Sequence, residues 1–555
     1  MSENTFLKGP ADWWHQAVIY QIYPRSFADG NNDGIGDLKG IISRVPYLKQ
    51  LGVDAVWLSP FYPSALADGG YDVDDYRDID PRIGTLAEFD QMAEALHAQG
   101  IRVIVDIVPN HSGSGHKWFQ EALKAAPGSP ERDRYIFRDG KGKNGEIRPS
   151  ELRSHFGPTA WTRITEPDGT PGQWYMHLFA SEQPDFNWDN EEVRADFRKT
   201  IKFWCDRGVD GFRVDVAHAL VKDLANGHLP ERDSYDVSVI KPNGTDDLFD
   251  RDAVHEIYAS WREIFNQYSP PRMAVAEAWV AADRLPAYAS EKGLGQSFAF
   301  DMLGAGWDAA KVQGLASRAI ARSKEHKSST TWVLSNHDVV RHATRFALPT
   351  GTEVHTWYKR YRNGTATEQL SLTLGSMRAN AMTMALLALP GSTYLYQGEE
   401  LGLHEALEIP DELMQDPQFF RNPELGLSRD GCRVPLPWKS TGDSFGFGEG
   451  GSHLPQPEWY ADYSVEAEDG KPGSTLELYR AAINLRKALE TAPEIKWIKH
   501  LFNKDVLHFV RPNGWHSVTN FGTKAVKLPK GRVMLSSLPL VDGKLPANAT
   551  AWVQA

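Results

Sequence analysis

Cysteine, basic runs and long apolar runs are all scarce in this sequence. Only Cys205 and Cys432 occur among 555 residues, too few for a disulfide framework or a thiolate metal cluster, so we expect a reducing compartment. Lys and Arg never form a long run and the net charge is −13, which argues against nucleic acid and anionic membranes as partners. The most apolar stretch, 381–390, is about half of what a bilayer requires.

The first residues contain no apolar core behind a basic lead, so no secretion signal is expected. We therefore expect a cytoplasmic protein that does not bind membranes. The composition, with 24% charged and 41% hydrophobic residues, is typical of a globular chain with a sizeable core.

Short β-branched or aromatic runs alternate with helix-period segments along most of the chain. Two of the helical segments, 85–99 and 192–207, end at glycines, Gly100 and Gly208, which are typical helix terminators. Eight strands alternating with helices predict an α/β fold, a (β/α)8 TIM barrel. The eight strand-like runs are 17–24, 54–60, 102–108, 211–216, 273–279, 297–302, 331–335 and 392–397.

The spacing of these runs predicts two additions to the barrel. About a hundred residues separate the third and fourth runs, too many for one crossover. The tail alternates strand-like runs with turn residues, which indicates a small antiparallel β domain. We predict a catalytic barrel from 1–111 and 186–489, an inserted subdomain at 112–185 and a C-terminal β domain at 490–555. A lid over the site entrance is expected at 401–474.

Polar residues repeatedly follow the predicted barrel strands. Asp106 and His111 follow the third strand, Arg213 and Asp215 the fourth, and Glu277 the fifth. Because the carboxyl ends of barrel strands open onto one mouth, these side chains should meet there. Polar segments also follow the seventh strand, at 336–338, and the eighth strand, at 397–400. The sequence therefore predicts an active site at this end of the barrel.

Four of these segments carry a resemblance to a known family. DIVPNH at 106–111, GFRVDVAHA at 211–219, EAW at 277–279 and NHD at 336–338 resemble the signature regions of the α-amylase family, glycoside hydrolase family 13. QPDFNW at 183–188 and GGYDVDDY at 69–76 resemble its α-glucosidase and oligo-1,6-glucosidase branch. Actinobacterial-type α-1,4-glucosidases are a further match, because the lid segment GLSRDGCRVP departs from the oligo-1,6-glucosidase motif.

The resemblance implies a retaining, exo-acting α-glucosidase that releases α-glucose from short oligosaccharides or small α-glucosides, without an organic cofactor. Glycoside cleavage of this kind requires one carboxylate that attacks the anomeric carbon and one acid that protonates the leaving oxygen. The resemblance assigns Asp215 as the nucleophile, Glu277 as the acid and base, and Asp338 to stabilisation of the transition state. We expect Arg213 to keep Asp215 ionised, and Asp106 to hold Arg213 or His111.

The resemblance also implies a set of substrate-binding residues. Tyr71 would stack under the glucose ring, and His111 and His337 would donate hydrogen bonds to its hydroxyls. Asp72 and an arginine, Arg433 in preference to Arg429, would close the pocket beyond the glucose 4-hydroxyl. Val216 would lie beside the leaving-group sugar and bias the linkage towards α-1,6. The expected substrate contacts are Tyr71, Asp72, His111, Arg213, Val216, His337 and Arg433.

One loop has oxygen-bearing side chains at alternate positions, as hard cations prefer. Gly34 lies where the chain must turn, and Gly40 occupies the place of an EF-hand's bidentate glutamate, so the loop is not an EF-hand. The resemblance implies Ca²⁺ or Mg²⁺, bound structurally, and a loop of Asx turns without metal is the alternative. The predicted ligands are Asp29, Asn31, Asp33, Ile35 and Asp37.

Three other functions stay open. A glucosyl transferase or sugar isomerase of the same family would use the same three carboxylates. A metal-dependent barrel hydrolase would use His111 and His218 as ligands, and a non-enzymatic relative would have no need of Asp215, Glu277 and Asp338. Sequence alone leaves the α-1,4 or α-1,6 preference and the oligomeric state open.

Overall fold

A computed structural model describes residues 7–224, 239–421, 426–500 and 503–555. Eight parallel strands form one sheet, in the order β7-β8-β1-β2-β3-β4-β5-β6. Every residue of these strands is buried, as expected for a parallel sheet covered on both faces. The predicted (β/α)8 barrel is confirmed. The strands are β1 Val18–Ile22, β2 Ala55–Leu58, β3 Arg102–Ile107, β4 Gly211–Val214, β5 Met273–Ala276, β6 Gly295–Ser297, β7 Thr331–Val333 and β8 Ser392–Tyr396.

Side chains connect β6 to β7. The described residues form no backbone ladder between these two strands. The Thr331 hydroxyl donates to the Ser297 carbonyl at 2.9 Å and accepts from the Ala299 N–H at 3.0 Å. Gln296 Nε2 donates to Ser329 Oγ, just before β7, at 3.1 Å. Side-chain hydrogen bonds therefore bridge this seam.

The sixth strand is shorter and earlier than predicted. It spans Gly295–Ser297, and a 3₁₀ helix, Phe300–Gly304, follows where the strand was expected to continue to 302. Phe298 is buried in the cluster below the site and Phe300 packs against that cluster. The two aromatic residues are thus buried after the end of the strand and do not belong to a strand that pairs with its neighbours.

Helices surround the sheet and fill the connections. Thr85 accepts a hydrogen bond from the Glu88 N–H at one helix start, and Gly100 follows that helix with φ +78°, as the sequence predicted. The helices are Leu38–Ser43, Val45–Leu51, Leu86–Ala98, Lys117–Lys124, Pro130–Asp133, Glu191–Asp206, Val254–Phe265, Leu285–Tyr288, Ala309–Glu325, His342–Ala347, Val354–Arg362, Leu372–Ala388, Pro417–Arg421, Asp430–Arg433, Val465–Glu468 and Thr475–Ala488.

A three-stranded antiparallel sheet lies within the predicted insert. The chain leaves the barrel and returns to it at an antiparallel bridge between His111 and Asp185. The strands are Phe137–Arg138, Trp161–Thr165 and Pro171–Met176, with the last in the middle. The proposed boundaries, 112–185, stay a prediction.

The tail forms a five-stranded antiparallel sheet that packs on helix Leu372–Ala388. Trp552 Nε1 donates to the Met384 carbonyl at 3.2 Å, and Thr550 Oγ1 donates to the Ala381 carbonyl at 2.7 Å. The most apolar stretch of the sequence is therefore covered by this domain. In sheet order its strands are Lys496–Trp497, Val506–Val510, Trp515–Asn520, Ala549–Gln554 and Arg532–Ser536, with a separate pair, Val526–Lys527 and Lys544–Leu545.

Among the described residues, no helix combines the length and the apolar character that crossing a membrane requires.

Candidate active site

The ends of β3, β4 and β5 bring one arginine and three carboxylates together. Arg213 Nη1 lies 2.5 Å from Asp215 Oδ1 and 3.0 Å from Asp106 Oδ1, and Arg213 Nη2 lies 2.8 Å from Glu277 Oε2. Arg213 and Asp106 are buried. The predicted contact of Arg213 with Asp106 and Asp215 is present, and the same guanidinium also reaches Glu277.

One buried cation cannot balance three carboxylates. Burial raises the pKa of Asp215 well above its usual value; Arg213 opposes this, whereas Glu277 and Asp106 add to it. Burial likewise raises the pKa of Asp106 to about 7, against the charge of Arg213. Contrary to expectation, Arg213 does not hold the pKa of Asp215 at or below its usual value, because it divides its charge among three acids. The raised pKa therefore belongs to the coupled cluster and not to one acid.

Two hydrogen bonds connect the loop after β4 to the loop after β5. The Val216 N–H donates to Glu277 Oε2 at 3.0 Å, and the Ala217 N–H donates to the Glu277 carbonyl at 2.8 Å. Val216 has φ +43°, a left-handed conformation that a β-branched residue seldom adopts. The bond to Glu277 helps to hold this strained residue directly after Asp215.

Asp338 lies beyond the end of β7 among cationic groups. Its Oδ1 is 3.0 Å from Arg429 Nη1 and 2.9 Å from Arg433 Nη2, and its Oδ2 is 3.2 Å from His337 Nε2. Burial opposes ionisation of Asp338, but the contacts with His337, Arg429 and Arg433 lower its pKa below the usual value. Asp338 is therefore ionised, whereas Asp215 tends to be protonated.

The pair that closes the pocket differs from the predicted pair. Arg429 Nη2 contacts Asp68 Oδ1 at 2.8 Å and Asp416 Oδ1 at 2.7 Å. Asp72 is only 1% exposed, and its carboxylate accepts the N–H groups of Ala67 at 3.0 Å and Asp68 at 3.1 Å. The prediction of Asp72 with Arg433 is wrong, because Asp72 closes its own turn.

A left-handed turn separates the two acids. Gly69 and Gly70 have φ +60° and +108°, so the chain reverses between Asp68 and Asp72, and only Asp68 contacts the lid arginine. Asp68 stands three residues before Tyr71, directly before the Gly-Gly turn. That position is the signal that could have identified it.

Tyr71, His111 and His337 surround the same pocket. The Tyr71 and His337 rings are parallel at 5.3 Å, and Tyr71 Oη lies 2.6 Å from His337 Nε2. His111 Nε2 lies 3.2 Å from the Tyr71 carbonyl and 3.1 Å from Gln183 Nε2. Burial lowers the pKa of each imidazole to about 3, so both are neutral and can donate hydrogen bonds to hydroxyl groups.

Sequence reasoning missed residues that support this pocket. Gln21 Nε2 lies 2.6 Å from His337 Nδ1, and Gln183 contacts His111 as described. On the other side, Trp279 Nε1 donates to Glu277 Oε1 at 2.9 Å, and its ring stacks on Phe300 at 4.4 Å. Trp279 is 40% exposed, so this stack offers an aromatic surface beside Glu277.

The predicted cation loop folds as a series of Asx turns. Both Asp29 oxygens and both Asp37 oxygens accept backbone N–H groups. Asn31 Oδ1 accepts the Asp33 N–H, and Asp33 Oδ1 accepts the Ile35 N–H, each at 2.9 Å. The described residues contain no group of three or more His, Cys, Asp or Glu side chains arranged to hold a metal. In this conformation the five predicted ligands do not form a cage.

The surroundings of His111 and His218 give no support to the metal-dependent hydrolase alternative. His111 bonds as described above, and His218 stacks on Phe249 at 5.2 Å. Neither histidine belongs to a described metal-binding group.

A family model called "Alpha amylase, catalytic domain" matches residues 21–493. The oligo-1,6-glucosidase of Parageobacillus thermoglucosidasius is 35% identical over 512 residues, covering 86% of this chain and 84% of the relative. The trehalose-6-phosphate hydrolase of Escherichia coli (strain K12) is 36% identical over 507 residues, covering 86% and 84%.

Solved structures with the same fold include an α-glucosyl transfer enzyme and a trehalulose synthase. An α-glucosyl transfer enzyme superposes with a TM-score of 0.81 at 31% identity, covering 98% of this chain and 99% of that chain. A trehalulose synthase superposes with a TM-score of 0.81 at 28% identity, covering 99% and 100%.

Proposed function

Since the chain belongs to the α-amylase family, we propose that it is a retaining α-glucosidase that removes glucose from the non-reducing end of short α-glucosides. The observation that supports this most is the contact of a single arginine, Arg213, with both Asp215 and Glu277. Two carboxylates held on one guanidinium are close neighbours, which suits a covalent mechanism better than one with water between them.

In this proposal Asp215 attacks the anomeric carbon while Glu277 protonates the leaving oxygen. A bond then joins the sugar to Asp215, and the leaving sugar departs with the proton from Glu277. Glu277 next removes a proton from water, and the water oxygen attacks the anomeric carbon. The bond to Asp215 breaks, so Asp215 leaves as its carboxylate and Glu277 is protonated again. Val216, bonded to Glu277, keeps the two loops in register through both steps.

The raised pKa of Asp215 affects the first step of this mechanism. Asp215 must be ionised to attack, yet burial and its neighbours raise its pKa. We infer that Asp106 takes up the proton, because Asp106 contacts the same Arg213 nitrogen and its pKa is raised to about 7. Activity should fall as pH falls and Asp215 becomes fully protonated.

The closed end of the pocket supports the exo-acting part of the proposal. Arg429 joins Asp68, Asp416 and Asp338 in one network. A wall of paired charges leaves no room for a further sugar beyond the first, so one glucose would be released at a time. Val216 beside the leaving group would bias the linkage towards α-1,6 by about 1–3 kcal/mol at most.

A glucosyl transferase or sugar isomerase of the same family is the second candidate. The exposed Trp279–Phe300 stack beside Glu277 favours it, because a flat aromatic surface can retain a sugar acceptor. The ratio of transferred to hydrolysed glucose, measured on maltose, isomaltose, sucrose and trehalose, distinguishes the two reactions.

The test of the mechanism compares Asp215→Asn with Glu277→Gln. Each should lower hydrolysis of maltose at least about a thousandfold. With an aryl glucoside whose leaving group needs no protonation, Glu277→Gln should still form the glucosyl-enzyme, detected by mass spectrometry, whereas Asp215→Asn should not. NMR of the first-formed glucose should show the α-anomer.

Glu94→Gln, a change on the exposed surface of helix Leu86–Ala98, is the matched control and should retain native activity. A first-formed β-anomer would exclude the retaining mechanism. Equal loss of aryl glucoside turnover in both variants, with no covalent adduct in either, would exclude the assigned roles.

A further inference from the structure

The two oxygens of Glu277 have different surroundings. Oε2 lies 2.8 Å from Arg213 Nη2 and accepts the Val216 N–H at 3.0 Å. Oε1 accepts the indole N–H of Trp279 at 2.9 Å. The bond from Val216 is partly buried, whereas the bond from Trp279 is open to solvent. Oε2 therefore faces a cation and a backbone donor, and Oε1 meets a neutral donor on the exposed side of the site.

A column of aromatic rings holds the Trp279 indole in place. Its ring stacks on Phe300 with centroids 4.4 Å apart and planes inclined by 20°, and Phe300 stacks on Phe298 at 5.2 Å. Phe298 is 2% exposed and packs edge-on against Tyr394 of β8 at 4.8 Å. The column thus runs from the barrel interior out to Trp279. A ring stacked in this way directs its N–H along one line.

The donors around Oε2 disfavour a proton on that oxygen. Such a proton would face the guanidinium of Arg213 and the Val216 N–H, and neither of these groups can accept a hydrogen bond. In the acid form of Glu277 the proton therefore belongs on Oε1, which can still accept the Trp279 N–H with its other lone pair. We propose that Trp279 is a positioning residue for this proton: its N–H occupies one lone pair of Oε1, and the other carries the proton towards the leaving oxygen. The inference rests on the proposed glucosidase function.

The N–H of Trp279 bonds more strongly to the carboxylate form of Glu277 than to the acid form. In the first step Glu277 gives the Oε1 proton to the leaving oxygen and becomes a carboxylate, so the bond from Trp279 strengthens as the proton leaves. In the second step Glu277 takes a proton from water, so the same bond weakens. Trp279 should therefore speed formation of the glucosyl-enzyme and slow its hydrolysis.

Other titratable groups also act on Glu277. Burial lowers the pKa of His155 in the insert to about 4 and that of His218 after β4 to about 3, so both imidazoles stay neutral above about pH 5. The charged and acidic groups are Arg213, Asp215 and Asp106. Trp279→Phe leaves all five groups in place and changes no charge. A difference between the native protein and this variant therefore reports the hydrogen bond.

The pH dependence of kcat/KM on maltose tests the proposal. In Trp279→Phe the carboxylate loses a donor while an aromatic ring remains, so the alkaline limb of the profile should move up by about one pH unit. Trp497→Phe is the matched control, because this half-buried tryptophan of the C-terminal sheet also contacts a phenylalanine ring, Phe509 at 5.4 Å. Its profile should coincide with that of the native protein.

The rates of the two steps separate a positioning role from a structural one. With an aryl glucoside whose leaving group needs no protonation, rapid quenching and mass spectrometry follow the decay of the glucosyl-enzyme directly. Trp279→Phe should speed this decay and lower kcat/KM on maltose, each by about two- to fivefold. A ring that only shapes the pocket would slow both reactions when it is altered.

An alkaline limb at the same pH in Trp279→Phe and native protein would overturn the proposal, as would slower decay of the glucosyl-enzyme in the variant. Failure of the proposed function looks different, because Glu277→Gln would then retain hydrolysis of maltose. Trp279 is 40% exposed, so we expect the variant to keep the native Tm. Trp279→Leu, which removes the donor together with the ring, should shift the limb equally and keeps the test decisive if Trp279→Phe does not fold.

Discussion

At the scale of single residues, the proposed closed end of the pocket depends on Arg429. This side chain joins Asp68, Asp416 and Asp338, so it connects the segment after β8, the loop after β2 and the loop after β7. A charge removed at Asp68 leaves a buried guanidinium with fewer partners and alters the wall that the glucose would meet.

We predict opposite phenotypes for two neighbouring acids. Asp68→Asn should lower kcat/KM on maltose by roughly ten- to a hundredfold with little change in Tm, because it removes a contact of Arg429. Asp72→Asn should cost about 1 kcal/mol of stability, since it weakens two hydrogen bonds to the backbone, and should leave kcat/KM near the native value. A larger loss of kcat/KM in Asp72→Asn would contradict this assignment.

Glu399, which follows β8, should make stability depend on pH. Burial raises its pKa to about 8 from 4.5, and its Oε2 accepts no hydrogen bond within the described chain. The native state therefore binds a proton that the unfolded state releases, so this stabilisation is complete below about 4.5 and is lost as pH rises through about 8. Glu399→Gln should remove the effect.

Urea denaturation at pH 5 and pH 8 measures how the free energy of unfolding depends on pH. Relative to native protein, Glu399→Gln should gain about 1.4 kcal/mol for each pH unit over that range. Glu94→Gln, an exposed control, should show no such gain. A difference that is independent of pH would mean that Glu399 is ionised in the native state.

Sequence reasoning located the residues that follow strands and failed at a turn. Asp106, Arg213, Asp215 and Glu277 meet because each lies at the end of a barrel strand, a position that hydrophobic periodicity reveals. Asp72 was proposed and Asp68 was not considered, because the sequence does not show that the chain reverses at Gly69 and Gly70 between the two acids.

At the scale of elements, the loop from Asp29 to Asp37 is ordered by its own hydrogen bonds. Its side chains accept backbone N–H groups throughout, as described above. We propose that Ca²⁺ or Mg²⁺ nevertheless binds there, because Asp29 Oδ2, Asn31 Oδ1 and Asp33 Oδ1 each accept one N–H bond and retain a free lone pair. Binding would require Asn31, Asp33 and the Ile35 carbonyl to turn towards Asp29 and Asp37.

Chelation should therefore lower the Tm of native protein while turnover at low temperature is unchanged, since the loop contacts no catalytic carboxylate. Asp33→Ala should abolish the response to Ca²⁺, whereas Asp168→Ala, in an exposed turn of the insert, should retain it. Differential scanning fluorimetry with and without Ca²⁺ measures both. An identical Tm for metal-free and Ca²⁺-loaded native protein would leave the loop as a purely hydrogen-bonded structure.

The sixth strand shows why element boundaries were harder to predict than element order. Alternating aromatic residues at 298 and 300 suggested a strand, yet both side chains pack in the cluster below the site. Burial and strand pairing favour the same residue types, so the sequence could not separate them.

At the scale of the whole molecule, the C-terminal sheet completes the core of the barrel. Helix Leu372–Ala388 has ten buried residues, and Trp552 and Thr550 cover it from the other domain. The sequence predicted both domains separately, but the contact between them depends on tertiary packing that no local pattern encodes.

We therefore predict that the two domains unfold together. Trp552→Ala should destabilise the protein by about 3–5 kcal/mol, as large buried truncations do, and differential scanning calorimetry should still show one transition. Val541→Ala, at an exposed position of the same domain, should have little effect. Two resolved transitions in either variant would show that the domains are independently stable.

The β6–β7 seam makes the barrel a split ring rather than a hoop, because within the described chain side chains alone join these two strands. A split ring bends most easily at its gap, and every other pair of neighbouring strands in the described sheet is held by a ladder of backbone bonds. Asp215 and Glu277 stand on one side of this gap and Asp338 on the other. A small change in the width of the gap would therefore move Asp338 relative to the other two acids without breaking a strand pair.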